Sequence, residues 1–164
     1  MGNRKVINAT PTTLGDIAFK SKLESKLFEV LRDKGFNPRY EPFKFHIWEG
    51  FKPTIPFYIK DKKTRSLKLE KTKLIDITYS PDIVFTYGNY LVLIEVKPDY
   101  FNDVYPYKRK LFRKFLEGGF IDSDNKNYKP IYAQIGTKRN LLEFIKILEE
   151  EYNEESERNI SPNN

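Results

Sequence analysis

The stretch that most constrains the fold of this 164-residue chain is residues 80–97, which reads SPDIVFTYGNYLVLIEVK. Apolar, β-branched and aromatic residues fill Ile83–Tyr87 and Tyr90–Val96, and Gly88-Asn89 lies between these two runs. Two such runs joined by two turn-forming residues predict a β-hairpin. We therefore expect the fold to be organised around two adjacent antiparallel strands.

Three charged side chains lie at the open end of this predicted hairpin. Asp82 stands at the start of the first strand, and Glu95 and Lys97 end the second on one face, because side chains alternate along a strand. Charges at half-buried strand positions are costly unless they are paired or bind a metal. The pattern favours a divalent metal site, and a cluster of surface salt bridges is the alternative.

Composition excludes several classes of site. The chain has no cysteine, which rules out a disulfide framework, a thiolate zinc site and a cysteine nucleophile. Its single histidine, His46, makes a multi-histidine metal site or a histidine-dependent triad improbable within one chain. The formal net charge of +6 agrees with a polyanionic partner. Because no long apolar run or signal-peptide pattern is present, we expect a soluble intracellular protein without a membrane partner.

The order of patterns predicts one domain of α+β class over residues 16–152, between an N-terminal arm, residues 1–15, and a flexible polar tail, residues 153–164. Helical spacing of apolar residues lies within 16–34, which carries Glu24, and within 138–152, which Thr137 precedes as a cap. Strands are predicted within 36–48, 54–59, 67–78 and 130–135. Gln134 is expected to be a polar-face residue of its strand.

Two basic segments are candidates for contact with DNA. Residues 60–66 predict the tip of a β-hairpin, and residues 104–117 predict a helix capped by Asn102-Asp103. Crowded cations repel one another unless a phosphate backbone lies alongside, although a solvated loop and a solvated basic face remain the alternatives. The helix is expected to turn Val104, Tyr107, Leu111, Phe112, Phe115 and Leu116 to the core. The candidate DNA-binding residues are Lys20, Lys62, Lys63, Arg65, Lys108, Arg109, Lys110, Arg113 and Lys114.

The spacing of the charged residues resembles a known nuclease signature. Pro81-Asp82, twelve intervening residues and Glu95-Val96-Lys97 resemble the PD-(D/E)xK motif, and Glu24 matches the upstream acidic residue of many such enzymes. More narrowly, FKSKLESKL at 19–27, GFNPRYE at 35–41 and YSPD at 79–82 resemble the phage endonuclease I family of Holliday-junction resolvases. The resemblance implies a restriction-endonuclease-like core, with a central mixed β-sheet flanked by helices and an inserted basic hairpin.

The resemblance also implies metal-dependent hydrolysis of phosphodiesters in branched DNA. Glu24, Asp82, Glu95 and Lys97 would be the catalytic residues, and Lys97 would position or activate the nucleophile. Mg²⁺ or Mn²⁺ would be held by Asp82, Glu95, the backbone carbonyl of Val96 and Glu24, because these ions prefer oxygen ligands. A homodimer with exchanged N-terminal segments, and a phage-encoded protein acting in the host cytoplasm, are further implications.

Two departures from the family pattern leave the exact substrate open. The segment before Pro81 is longer than in the compact resolvases, and Pro98 follows Lys97 where glycine is expected. A sequence-specific, mismatch-repair or transposase-type PD-(D/E)xK nuclease shares the same catalytic core. A catalytically silent DNA-binding protein is the alternative from another class.

Overall fold

The computed structural model describes residues 10–97, 105–121 and 127–152. These residues form a mixed α+β fold with three helices and several sheets. The predicted helix cap at 102–103 and the tail at 153–164 lie outside the described residues. The elements are β1 (Thr12–Leu14), β2 (Ile17–Phe19), α1 (Lys22–Asp33), β3 (Arg39–Tyr40), β4 (Phe45–Trp48), β5 (Phe57–Lys60), β6 (Leu67–Glu70), β7 (Ile77–Tyr79), β8 (Ile83–Tyr87), β9 (Tyr90–Val96), α2 (Tyr105–Leu116), β10 (Phe120–Ile121), β11 (Asn127–Ile135) and α3 (Lys138–Glu151).

The central sheet has five strands in the order β10-β11-β9-β8-β3. Strand β11 runs parallel to β9, and the other neighbours are antiparallel, so the sheet is mixed. Its middle is the predicted hairpin, which is confirmed with Tyr87 opposite Tyr90 and Gly88 at a φ of 54° in the turn. All seven residues of β9 are buried, as expected for a strand covered on both faces.

Helices cover both faces of this sheet. One buried cluster joins Ile83 and Ile94 of the hairpin to Leu27 of α1 and Leu148 of α3. The other joins the alternate residues of the hairpin to Phe112 and Leu116 of α2. Because successive strand residues point to opposite faces, the two apolar clusters place the hairpin at the centre of three layers.

The N-terminal caps of α1 and α3 have a local cause, and the one at Thr137 was predicted from the sequence. The Ser21 side chain accepts a hydrogen bond from the Glu24 N–H at 3.2 Å, and the Thr137 side chain accepts one from the Asn140 N–H at 3.1 Å. Each cap satisfies a backbone donor that the first helical turn leaves unpaired. Helix α1 is shorter than the predicted span, because Ile17–Phe19 pairs with Thr12–Leu14 as a small hairpin.

Three details of the sequence interpretation were wrong. The segment 67–78 is not one strand, because β6 pairs with β5 whereas β7 pairs with β4. The segment 36–48 is not one strand: β3 belongs to the central sheet and β4 pairs with β7, with Glu41 at a φ of 41° between them. In α2, Tyr107 is 70% exposed rather than buried, and Phe115 also reaches the surface. The contact stripe of α2 is narrower than the apolar pattern predicts, because Phe112 and Leu116 fill the space over the sheet.

Strands β5 and β6 form the predicted inserted hairpin. Phe57 pairs with Glu70 and Lys60 pairs with Leu67, and the connecting turn is held by Asp61, whose Oδ1 accepts the Lys63 N–H at 2.9 Å. No helix among residues 10–97, 105–121 and 127–152 combines the length and the apolar character needed to cross a bilayer.

Candidate functional site

Four polar residues form a row across one edge of the central sheet. Tyr40 lies opposite Ile83, and Ile83 lies opposite Ile94, so the next residues along these strands are Glu41, Asp82 and Glu95. The Glu41 N–H donates to the Asp82 carbonyl oxygen at 2.8 Å, which extends the pairing by one residue. Gln134 lies opposite Glu95 on β11. Three neighbouring strands therefore carry a carboxylate residue at the same edge of the sheet.

Asp82 is held by the end of the neighbouring strand. The Val96 N–H donates to Asp82 Oδ2 at 2.7 Å. Burial raises the pKa of Asp82 well above its usual range, and the negative charge of Glu95 raises it further. The Val96 N–H lowers this pKa because it stabilises the anion. The charges of Glu24 and Glu41 add smaller increases. The carboxyl group therefore gains stability from a nearby cation.

Glu95 is 7% exposed and has two side-chain partners. Its Oε2 accepts a hydrogen bond from the Tyr79 hydroxyl at 2.6 Å, and its Oε1 lies 3.3 Å from Lys97 Nζ. Burial raises the pKa of Glu95, and the Tyr79 and Lys97 contacts only partly offset that effect. The Tyr79 hydroxyl also lies 2.6 Å from the Tyr132 hydroxyl. Hydrogen bonds therefore link Glu95 through Tyr79 to Tyr132.

Glu24 reaches this edge from the first turn of α1. Its Oε2 accepts hydrogen bonds from the Tyr40 hydroxyl at 2.6 Å and from the Lys20 N–H at 3.2 Å, and its Oε1 accepts one from Ser21 Oγ at 2.9 Å. The side chain of Glu24 is nearly buried, and its charge raises the pKa values of both Asp82 and Glu95. The structure thus brings Glu24 within electrostatic range of Asp82 and Glu95, which follow it in the chain by 58 and 71 positions.

Lys20, one of the candidate DNA-binding residues, forms an ion pair at this edge. Its ammonium group pairs with Glu41 rather than with Glu24. Burial lowers the pKa of Lys20, but the hydrogen bond and charge of Glu41, with smaller contributions from Asp82 and Glu24, outweigh it, so the pKa is raised overall. A cation therefore already lies beside the acidic row.

The chemical type of the candidate ligands at this edge suits a hard divalent ion. All the side-chain candidates are carboxylate oxygens, and no hydrogen bond from the described residues reaches Asp82 Oδ1. Within the described ranges, no three acidic or histidine side chains are already arranged as a metal centre. The Glu24 and Glu95 oxygens accept hydrogen bonds from Ser21, Tyr40 and Tyr79, so an ion at this site would compete with those donors.

The two basic segments lie in different places relative to the acidic row. Helix α2 borders it, because Arg109 Nη1 donates to Gln134 Oε1 at 2.8 Å, and Gln134 is paired with Glu95. Lys110, Arg113 and Lys114 of this helix are exposed, and Lys108 is partly buried. The exposed side chains of Lys62, Lys63 and Arg65 lie instead at the tip of the separate β5–β6 sheet.

Sequence reasoning missed four residues of the site: Glu41, Tyr40, Tyr79 and Tyr132. Tyr40-Glu41 belongs to the GFNPRYE segment, and Tyr79 directly precedes Ser80-Pro81-Asp82, so both were visible as neighbours of a motif. Tyr132 carried no local signal, because its contact with Tyr79 joins residues 53 positions apart.

No protein-family model, no curated protein and no solved structure matches this chain. Any assignment of function therefore depends on the residues and geometry described above.

Proposed function

We propose that this chain is a metal-dependent DNA endonuclease with a restriction-endonuclease-like core, of the phage endonuclease I type, which cleaves branched DNA as a Holliday-junction resolvase or debranching enzyme. One arrangement carries the proposal: Asp82 and the nearly buried Glu95 lie at the same end of two paired strands, the Val96 N–H holds Asp82 Oδ2 at 2.7 Å, and Lys97 Nζ lies 3.3 Å from Glu95 Oε1. Carboxylates held together at an energetic cost indicate a site that a cation stabilises.

Four groups would hold Mg²⁺ or Mn²⁺: the carboxylates of Asp82, Glu95 and Glu24 and the backbone carbonyl of Val96. A bound divalent ion lowers the pKa of water and neutralises charge that develops on a phosphate. Val96 contributes a second function through its N–H, which fixes the Asp82 carboxylate at 2.7 Å. Tyr79 fixes one oxygen of Glu95.

Lys97 is the proposed positioning group for the nucleophile. Its ammonium group lies beside the Glu95 carboxylate, where it is held near the acidic row by charge. In this place it would orient an attacking water and offset negative charge on the phosphate. This role requires the ammonium group and not only the aliphatic part of the side chain. Substitution of Lys97 by methionine therefore tests it.

DNA would lie along the edge that carries the acidic row. Helix α2 exposes Lys110, Arg113 and Lys114 to solvent, and the hydrogen bond from Arg109 to Gln134 attaches this helix to the row. Cations placed there attract a phosphate backbone, whatever the base sequence. The preference for branched DNA, the homodimer with exchanged N-terminal segments and the place of action in the host cytoplasm follow from the family resemblance.

Cleavage assays with labelled four-way, flap and linear duplex DNA test the proposal. Wild type is expected to cleave the four-way or flap substrate in Mg²⁺. Glu95→Gln and Lys97→Met keep the side-chain volume and are expected to lower the rate by roughly 100-fold or more, since each removes a charged group from the reacting centre. Glu29→Gln and Lys26→Met, at exposed positions of α1, are matched controls expected to retain the rate.

Binding measured in Ca²⁺ separates catalysis from affinity. Both site variants are expected to bind the four-way substrate within a few-fold of wild type. Cleavage that survives unchanged in both variants contradicts the proposed site. Cleavage of linear duplex at one sequence favours the restriction-type alternative, and wild-type binding without cleavage in Mg²⁺ or Mn²⁺ favours the silent DNA-binding protein.

A further inference from the structure

The β5–β6 hairpin exposes an unusual amount of apolar surface. Every residue of β5 and three of the four residues of β6 are exposed. Tyr58 is 60% exposed and Phe57 is 59% exposed on the neighbouring position of the same strand. A two-stranded hairpin has little stability of its own in water, and contiguous exposed apolar side chains indicate an interaction surface.

The two faces of the hairpin differ in charge. Residues opposite each other share a face, so Tyr58 and Leu69 lie with Lys60 and Leu67 on one face, which we call the Tyr58 face. The opposite face carries Phe57 and Ile59 together with one cation, Lys68, and one acid, Glu70, so its formal charges cancel. The Tyr58 face therefore combines an aromatic ring and apolar side chains with a cation and no acid.

The charge of this region decides between possible occupants. Residues 51–75 contain eight lysines and arginines and two acidic residues, a net charge of +6 that equals the net charge of the whole chain. One of the two acids, Asp61, is paired with Lys68 at 2.9 Å. A second copy of the same hairpin would be repelled, whereas a polyanion would be attracted.

We propose that the Tyr58 face binds unstacked DNA bases, with the Tyr58 ring stacking on a base while Lys60 and the cations of the tip contact the neighbouring phosphates. An aromatic ring beside cations is the combination that single-stranded nucleic-acid sites use, because every base has a face on which a ring can stack. Branched DNA offers such bases at its junction. The inference rests on the DNA substrate of the proposed function but requires no cleavage.

The structure supplies a matched pair of variants for the test. Tyr58→Ser removes the ring from the proposed face, and Phe57→Ser removes an equally exposed ring from the opposite face. The full chain is titrated in EDTA with single-stranded and flap DNA that carries 2-aminopurine at the branch, and with fully paired duplex. The Tyr58→Ser chain is expected to bind the unpaired substrates about tenfold more weakly and to lose the fluorescence change, since stacking of a base on an aromatic ring contributes to affinity.

The controls fix what each result means. Tyr58→Phe keeps the ring and is expected to bind like wild type, and Phe57→Ser is expected to bind every substrate like wild type. Tyr58→Leu, which keeps apolar area without a ring, gives a second measurement if the serine variant melts at a lower temperature. Lys62→Ala with Lys63→Ala is expected to weaken binding to paired and unpaired DNA alike, with a less steep salt dependence.

Three results overturn the inference: equal losses from Tyr58→Ser and Phe57→Ser, equal losses on duplex and unpaired DNA, or a change of sedimentation in Tyr58→Ser, which would assign this face to a second copy of the chain. Because EDTA removes divalent ions, these results do not depend on whether the chain cleaves DNA. Failure of the proposed function would appear instead as absent cleavage in Mg²⁺.

Discussion

The Val96 N–H donates to Asp82 Oδ2 at 2.7 Å, so the backbone of one strand holds the carboxylate that begins its neighbour. The bond stabilises the anion of Asp82, whereas burial and the charge of Glu95 oppose it. The geometry is thus fixed by a neutral donor, while Lys97 and Lys20 compensate the negative charge of the row only in part. The proposed divalent ion would supply the remaining positive charge.

Asp82→Asn is expected to separate these two contributions. The amide oxygen still accepts the Val96 N–H, but the negative charge is lost, so cleavage is expected to fall roughly 100-fold while the metal-free protein keeps or gains stability. Asp82→Ala also removes the acceptor and is expected to destabilise the fold by about 1–3 kcal/mol. Cleavage rates and urea unfolding check both, with Asp33→Asn on the exposed side of α1 as the control. A destabilised Asn variant would contradict this account.

Stability without metal is expected to fall as pH rises. Burial raises the folded-state pKa values of Asp82 and Glu95, and the charge of Glu95 raises the pKa of Asp82 further. The folded chain therefore binds more protons than the unfolded chain above about pH 4. The free energy of unfolding therefore decreases through the window up to the raised pKa values and stays low beyond it. Thermal unfolding in EDTA measures this.

Comparison with Asp82→Asn isolates the contribution of the row. The pKa of Asp61 is lowered chiefly by Lys68, and that of Asp76 chiefly by the Gly50 N–H. Both residues therefore make the fold more stable as pH rises. Because wild type and Asp82→Asn share these residues, their effect cancels when the two pH profiles are subtracted. A divalent ion that binds the folded chain is expected to restore about 2.7 kcal/mol at 100 times its Kd, and less at low pH, where protons compete. Equal metal stabilisation of wild type and Asp82→Asn would contradict a site at Asp82.

The predictable part of the molecule was the part with short-range causes. The hairpin β8–β9, the cap of α3 by Thr137 and the polar insertion with its turn at Asp61 follow from local periodicity and turn chemistry. The prediction that Glu24 belongs to the same site as Asp82 and Glu95 came from the family resemblance. No rule of sequence spacing predicts it.

The remainder depends on contacts distant in sequence. Glu41 joins the row only because β3 pairs with β8, and the left-handed conformation of Glu41 splits a segment that reads as one strand. Tyr132 meets Tyr79 because β11 runs parallel to β9, a pairing made across the whole of α2. Periodicity within a segment contains no information about such partners.

Tyr79→Phe is expected to loosen Glu95 without disturbing the core. The ring stacks on Phe112 with centroids 4.2 Å apart, and this contact survives, but the 2.6 Å hydrogen bond to Glu95 is lost. We expect a higher Mg²⁺ concentration for half-maximal cleavage and weaker Mn²⁺ binding by calorimetry, both by roughly tenfold. Tyr132→Phe keeps the Tyr79–Glu95 bond and is the control. Identical Mn²⁺ affinities in the two variants would exclude a positioning role for Tyr79.

Arg113→Ala with Lys114→Ala tests the exposed face of α2. Neither side chain is buried, so the variant is expected to fold like wild type and to bind every DNA form more weakly. If both residues contact phosphates, the slope of log affinity against log salt falls by about 1.8, since each contact contributes about 0.9. Lys34→Ala with Lys146→Ala removes equal charge from α3 and the end of α1, on the other face of the sheet. Equal slopes for both double variants would show that only net charge matters.

Gly50→Ala tests how the inserted hairpin is attached. The Gly50 N–H donates to Asp76 Oδ1 at 2.8 Å, and a Cβ at this position would overlap the Leu74 carbonyl oxygen and lie 2.7 Å from the Asp76 nitrogen. Backbone atoms cannot rotate away as a side chain can, so the variant is expected to lose about 1–3 kcal/mol of stability. Gly118→Ala, where the new carbon would lie 3.3 Å from the Phe115 oxygen, is expected to have a smaller effect in the same urea titration. If Gly50→Ala unfolds at the wild-type midpoint, the close crossing of these two segments is wrong.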